Sequence, residues 1–281
     1  MVTADGTTVE DVLGKLQKSI GQIPQGLANQ ISYATAYHRA ISDVGVLIDY
    51  DRFIDPAWTE RLVIGATDRL VQVLDAARSG RPDDVPAPWR LVFAAPAGSA
   101  GRNLVMGLGV QLNFELPQAV LAVAGVNDFS HPDYLTVHRW DLERVDAIMA
   151  PRIADQFAHD SRLRKRVLAP VYRLAVRLML RDARHHLWRN VLQLRAARVQ
   201  GEGAFRRRLA ELEELTAARI QKMRTSGLAA VRYTVLGFGL VLPPSGGPDA
   251  ARRPGQRVHS AVLPRQRRAS TLDRRDAPTS G

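Results

Sequence analysis

The chain contains no cysteine, which excludes disulfides, thiolate metal sites and a cysteine nucleophile. Lysine is nearly as scarce: Lys15, Lys18, Lys165 and Lys222 are the only four, so arginine carries the positive charge. Long apolar runs are missing as well. The longest, Gly227 to Leu242, covers about sixteen residues with Arg232 inside it, short of the roughly twenty that a spanning helix requires. The N-terminal stretch MVTADGTTVEDVLGKL has no basic region followed by an apolar one, so no secretory signal is expected. A cytoplasmic protein without a membrane span is the resulting expectation. Short catalytic signatures are also lacking: there is no Gly-rich phosphate loop, Gly-x-Ser-x-Gly elbow or His-Glu-x-x-His. Pro96-Ala-Gly-Ser-Ala-Gly-Arg has the glycines of such a loop but not its Lys-Ser/Thr ending.

What is present is an ordinary globular composition. Of 281 residues, 46% are hydrophobic and 24% charged, enough to build a sizeable core. The formal charge of +11 is unevenly placed. From Pro243 to Gly281 there are eight Arg against Asp249, Asp273 and Asp276, a net +5, which leaves +6 on the rest. This C-terminal stretch is made of Arg, Pro, Ser, Gly and Asp with no sustained period, and it cannot bury enough apolar area to offset its ordering entropy. Residues 243–281 are therefore expected to be a disordered basic tail, either passive or an arm for nucleic acid or membrane.

Over residues 7–242 the apolar residues recur with helical spacing, and alternating strand patterns are scarce. Thr7 or Thr8 can cap a first helix carrying Val9, Val12, Leu13, Leu16 and Ile20. A second run covers about 29–47. Asp55-Pro56 then reads as an N-cap followed by proline at the first helical position. Trp89 to Ala95 is short and apolar, strand or helix. Residues 99–125 form a buried helix broken or kinked at Pro117, and further helices are predicted over 132–157, 161–199 and 202–223. The last should carry Phe205, Leu209, Leu212 and Leu215 on one stripe. Successive helices with short joints predict an all-α, single-domain helical bundle.

The most distinctive segment runs from Gly107 through Gln111, Asn113 and Glu115 to Pro117. Gln111 and Glu115 are four apart and share a helical face, and all three polar residues interrupt an apolar stretch. Buried polar groups are costly unless paired, so they form either an internal network that satisfies carbonyls freed by the proline, or a site.

Leu112 to Pro117 is preceded by Phe53-Ile-Asp-Pro-Ala-Trp and Pro86-Ala-Pro-Trp-Arg-Leu-Val-Phe and followed by Asp141-Leu-Glu-Arg-Val-Asp. Together these segments resemble an uncharacterised helical family, a domain of unknown function from high-GC Gram-positive bacteria. Its hallmark is His-x-Asn-x-Asp-Leu-Pro, and the resemblance covers about residues 9–240. It implies a helical fold and says little about activity. Asn113, Leu116 and Pro117 match the hallmark, whereas Gln111 stands in place of His and Glu115 in place of Asp. A His and a carboxylate four apart could share a metal or a proton, but Gln neither titrates nor ligates well. Arg144 and Asp146 also match, and are expected to complete a polar cluster with Glu115.

Three functional readings follow. In the first, Gln111, Asn113, Glu115, Arg144 and Asp146 are the polar handles of an internal pocket that binds or processes a small apolar molecule, with specialised metabolism as a candidate setting. In the second, the pairs Asp155 with His159 and Asp182 with His186, each four apart, join Glu115 in a metal-dependent oxidase or hydrolase; as isolated pairs they are ordinary helix-surface ion pairs. In the third, Arg173, Arg177, Arg181 and Arg184 make one basic stripe that receives phosphate or nucleic-acid backbone. The simpler reading of the stripe is a solvated face opposite Leu174 and Leu178, and the aromatic interleaving of single-strand binders is absent beside it except for Trp188, so a nucleic-acid partner is not expected.

Overall fold

The computed structural model describes residues 6–23, 28–95, 100–125, 128–157, 162–226, 233 and 237–244. The chain divides into residues 1–244 and residues 245–281. The second unit, and with it nearly all of the tail expected to be disordered, lies outside the described residues.

The described part of the first unit is helical and contains no strand. Thr8 caps α1 (Val9–Gly21) in a reciprocal capping box with Asp11. Helix α2 spans Ala28–Asp49, and α3 (Pro56–Arg78) opens with Asp55 accepting from the Trp58 amide at 2.8 Å and Pro56 in its first turn. The ambiguous Trp89 segment is a short helix, α4 (Ala87–Phe93). After α5 (Ala100–Val110) and α6 (Leu116–Val123) come α7 (Tyr134–Phe157), α8 (Arg162–Val199) and α9 (Glu202–Thr225).

Helices α5 and α6 are one continuous run through the centre of the fold, joined by a π turn at Gln111–Glu115. Every residue from Asn103 to Pro117 is buried, as befits a helix apolar on nearly all sides. Around it, α2, α4 and α9 pack on α5, and α3 and α8 pack on α6. Gly107 is required by this crowding, since a Cβ there would meet the ring of Tyr33. Of the break or kink expected at Pro117, a break does not occur; the irregularity is the π turn just before the proline. The Leu116 amide bonds to the carbonyl of Gln111, so the ladder has already changed register where the proline ring, lacking a donor, arrives. Side chains satisfy neighbouring carbonyls: Gln118 Nε2 donates to Phe114 O and Asn113 Nδ2 to Gly109 O, both at 2.9 Å. The run Arg102–Val123, longer than the Gly227 to Leu242 stretch, is long and apolar enough to cross a membrane by composition, but its apolar window is wholly buried inside the fold.

Two other expectations need correction. On α9 the buried face is Arg208, Leu212, Thr216, Ile220 and Met223; Phe205, Leu209 and Leu215 lie at its flank, because α9 turns that face towards α4, α5 and α8. On α8, Leu174 and Leu178 are exposed (59% and 44%), and Val176, Met179, Leu180, Ala183 and Leu187 are buried instead. The Arg stripe is thus not opposite a buried pair of leucines, and one of its members, Arg184, is itself buried.

Residues 237–244 form an extended strap, with Phe238, Leu240 and Leu242 buried at alternate positions. Its backbone finds side-chain partners in place of a neighbouring strand. Asn113 donates to Phe238 O at 3.2 Å and accepts from the Leu240 amide at 2.7 Å. Asn190 repeats the pattern two residues on, with Leu240 O at 2.8 Å and the Leu242 amide at 2.9 Å. Asp182 accepts from the Gly239 amide at 2.6 Å, and a Cβ on Gly239 would be driven into the His186 ring and the Asp182 carbonyl.

Asn190→Ala should leave one buried carbonyl and one buried amide unpaired and cost roughly 2–4 kcal/mol in denaturant unfolding. The buried pair Arg184–Asp146, bonded at 2.9 and 2.6 Å, should behave differently from a surface bridge. Arg184→Met alone is expected to cost about 3–5 kcal/mol, and most of that loss should return when Asp146→Leu is added.

Candidate functional site

The π turn directs its polar residues to different neighbours. Asn113 is committed to the strap. Gln111 is buried, and its Oε1 has no hydrogen-bond partner among the described residues. Glu115 is only 2% exposed and faces α3 and α4. Its Oε1 accepts from Trp89 Nε1 at 3.0 Å, and its Oε2 lies 3.5 Å from Arg69 Nη1. Arg69 also donates to Gln118 Oε1 at 3.2 Å. Trp89 in turn lies against Tyr33 and Phe93, each with ring centroids 5.6 Å apart. Position and orientation of the carboxyl are therefore set by α4 through the indole and by α3 through the guanidinium.

Burial pushes the Glu115 carboxyl above the ordinary carboxylate range, an effect that Arg69 and the Trp89 hydrogen bond oppose without cancelling. Tyr33 and Tyr37, behind Trp89, are raised for the same reason, Tyr37 to about 12. Tyr33 Oη, like Gln111 Oε1, is a buried polar atom without a partner. Such atoms are rare in folded proteins, and Tyr33 is close enough to Glu115 for the carboxylate charge to raise its hydroxyl further.

A cavity of about 310 Å3 reaches Glu115 from the side of α3. Arg69, Gln72, Arg81, Asp84, Glu115 and Gln118 supply its polar lining, and Val73 and Phe114 are among its apolar residues. This volume is at the lower end of the range of small-molecule sites. π turns within α-helices are found frequently at functional positions.

The remaining sequence-derived candidates do not join this cluster. Arg144 is exposed on α7, and Asp146 is held by Arg184, so the expected completion of a Glu115 cluster is replaced by two separate ion pairs, because α8 brings Arg184 to α7. Of the metal set, Asp155 lies 3.7 Å from Arg173. Asp182 lies 3.7 Å from His186, whose imidazole is pushed below its usual range by burial. His159 lies outside the described residues. Among the described residues no three His, Asp or Glu side chains come together as a metal site would need.

Residues that sequence reasoning passed over are as informative. Arg69 lies within the helical run that opens at Asp55-Pro56, and Trp89 in a short apolar segment that also carries the family resemblance; nothing local marks either as a partner of a residue 46 or 26 positions away. A second buried polar cluster joins α3 to α7: Asp141 accepts from the Ile54 and Asp55 amides at 2.7 and 2.8 Å. His138 lies 3.3 Å from Asp55 Oδ2, and Trp58 donates to Tyr134 Oη at 3.1 Å. It serves as a brace for the start of α3, satisfying donors that every helix N-terminus leaves free.

Because the folded state favours protonated Glu115, that group contributes most stability below its ordinary value of 4.5, and the contribution is lost as pH rises through the elevated folded value. Glu115→Gln, which is neutral at all pH, should therefore gain in melting temperature relative to the wild type as pH is raised from 4.5 towards 8. A constant difference between the two proteins across that range would show that the carboxyl is not held neutral by burial.

No curated protein and no solved structure matches the chain. A family model does, over residues 9–226, a span that includes the π turn, Arg69 and Trp89 but stops short of the strap. The chain belongs to this family, a family of unknown function (DUF5995).

Proposed function

We propose that this protein binds or processes a small molecule in the π-turn cavity, with Glu115 and Arg69 as its polar handles. The observation that carries this reading is a buried carboxyl, reachable from a small cavity and held between an indole N–H and a guanidinium. A carboxyl kept protonated can donate a hydrogen bond to a carbonyl or phosphoryl oxygen. Once ionised, it can accept a proton from a hydroxyl or amine. Arg69 supplies a fixed positive charge beside it, suited to an anionic or strongly polarised group. Val73 and Phe114 offer contact to an apolar portion of the ligand. The small apolar ligand expected from the sequence is thereby refined to a compact one with a polar end. The network reading of the same segment accounts for Asn113, which is committed to the Gly109 carbonyl and the strap; Glu115 lines the cavity and Asn113 does not, which supports its separate role.

The test is native mass spectrometry of the purified full-length chain against its denatured mass. An organic surplus is expected on the wild type, reduced at least about tenfold in occupancy in Arg69→Met and in Glu115→Ala. A chain that carries no surplus, or one whose surplus survives both substitutions, rejects the proposal.

A further inference from the structure

A larger cavity, about 760 Å3, lies between α7 and α8 and shares no lining residue with the π-turn cavity. Its apolar lining is Leu142 and Ala147 from α7 and Leu180, Trp188 and Leu192 from α8. These α8 residues recur at eight and four positions, the helical spacing that keeps side chains on one face. Around that floor stand Arg139, Arg177, Arg181 and Arg189, all exposed, with His185 beside them. The acidic lining residues are Glu143 and Asp146, and Asp146 is already consumed by the bidentate pair with buried Arg184. Four guanidinium groups thus face a single uncommitted carboxylate, and none of the four makes an ion pair among the described residues.

An apolar trough with a one-signed rim is complementary to a molecule that is itself divided in that way. We infer that the α7/α8 groove binds a monomeric amphipathic anion, a short hydrocarbon body ending in a phosphate or carboxylate, with the body against exposed Leu192 and the aliphatic stems of Arg181 and Arg189 above the buried floor of Leu142, Leu180 and Trp188, and the anion between Arg177 and Arg181. Guanidinium groups one helical turn apart can each bond two oxygens of such a head group. A nucleic-acid strand fits less well. Trp188 is 3% exposed and offers no face for a base to stack on. The groove is lined by apolar side chains where a polyanion would meet a continuous basic track.

Isothermal titration calorimetry on the full chain tests this with n-octyl phosphate below its micellar concentration. Inorganic phosphate, n-octanol, phosphatidate vesicles and a single-stranded oligonucleotide serve as comparison ligands. One octyl phosphate per chain is expected, bound at least about tenfold more tightly than either inorganic phosphate or octanol. The double variant Arg177→Gln/Arg181→Gln should lose at least about tenfold in affinity. Arg173→Gln removes the same charge from the same helix at a residue near Asp155 and outside the groove lining, and should leave the affinity unchanged. The inference is overturned if octyl phosphate shows no saturable binding, or if the double variant binds as well as the wild type. Equal loss in Arg173→Gln would reduce the effect to net charge and overturn it too, as would tighter binding of vesicles or oligonucleotide than of octyl phosphate.

Discussion

The helix that everything else packs around carries polar side chains in a place where water does not reach. From Asn103 to Pro117 no residue is exposed, so each polar atom in that run must find a protein partner or remain unpaired at a cost of about 1–3 kcal/mol. Much of the architecture can be understood as an answer to this demand. The strap is positioned by Asn113, helix α4 delivers the indole of Trp89 to Glu115, and α3 delivers Arg69. The π turn makes room for Pro117 and at the same time spreads the polar residues towards different neighbours. Gln111 Oε1, left without a partner among the described residues, marks where that demand goes unmet.

The segments that carry the family resemblance turn out to be one another's partners. The Pro86 segment contains Trp89, which bonds to Glu115 of the Leu112 segment. The Phe53 segment contains Asp55, whose amide is held by Asp141 at the head of the fourth segment. Its last residue, Asp146, is fixed by Arg184 of α8. Sequence similarity concentrated in short, distant stretches is what paired buried polar groups produce, since changing one member alone leaves the other unpaired.

Arginine plays three physically distinct parts. At Arg69 it sits beside a buried carboxyl, and at Arg184 it completes a buried bidentate pair. At Arg139, Arg177, Arg181 and Arg189 it faces a cavity with little acidic company. The four-residue stripe seen in the sequence mixes these classes. Arg173 lies near Asp155, Arg184 is buried against Asp146, and only Arg177 and Arg181 line the groove with an unsatisfied charge. Spacing placed all four on one helix, but the identity of the neighbouring helix decided what each of them does.

By itself the sequence determined the helices. Thr8 and Asp55 mark helix starts, the apolar spacing of α1 and α3 marks their buried faces, and the composition after Leu242 marks a boundary, because capping and periodicity are local properties that adjacent residues settle among themselves. It also pointed to Glu115 and Asn113 as polar residues in an apolar setting. What those residues contact was decided by tertiary structure alone. Asn113 meets a strap more than a hundred residues later in the chain, and Glu115 meets a tryptophan and an arginine from two other helices. The physical reason is that a buried polar group takes whatever complementary atom the packing brings within hydrogen-bond distance, and packing between distant segments leaves no periodic trace in either of them.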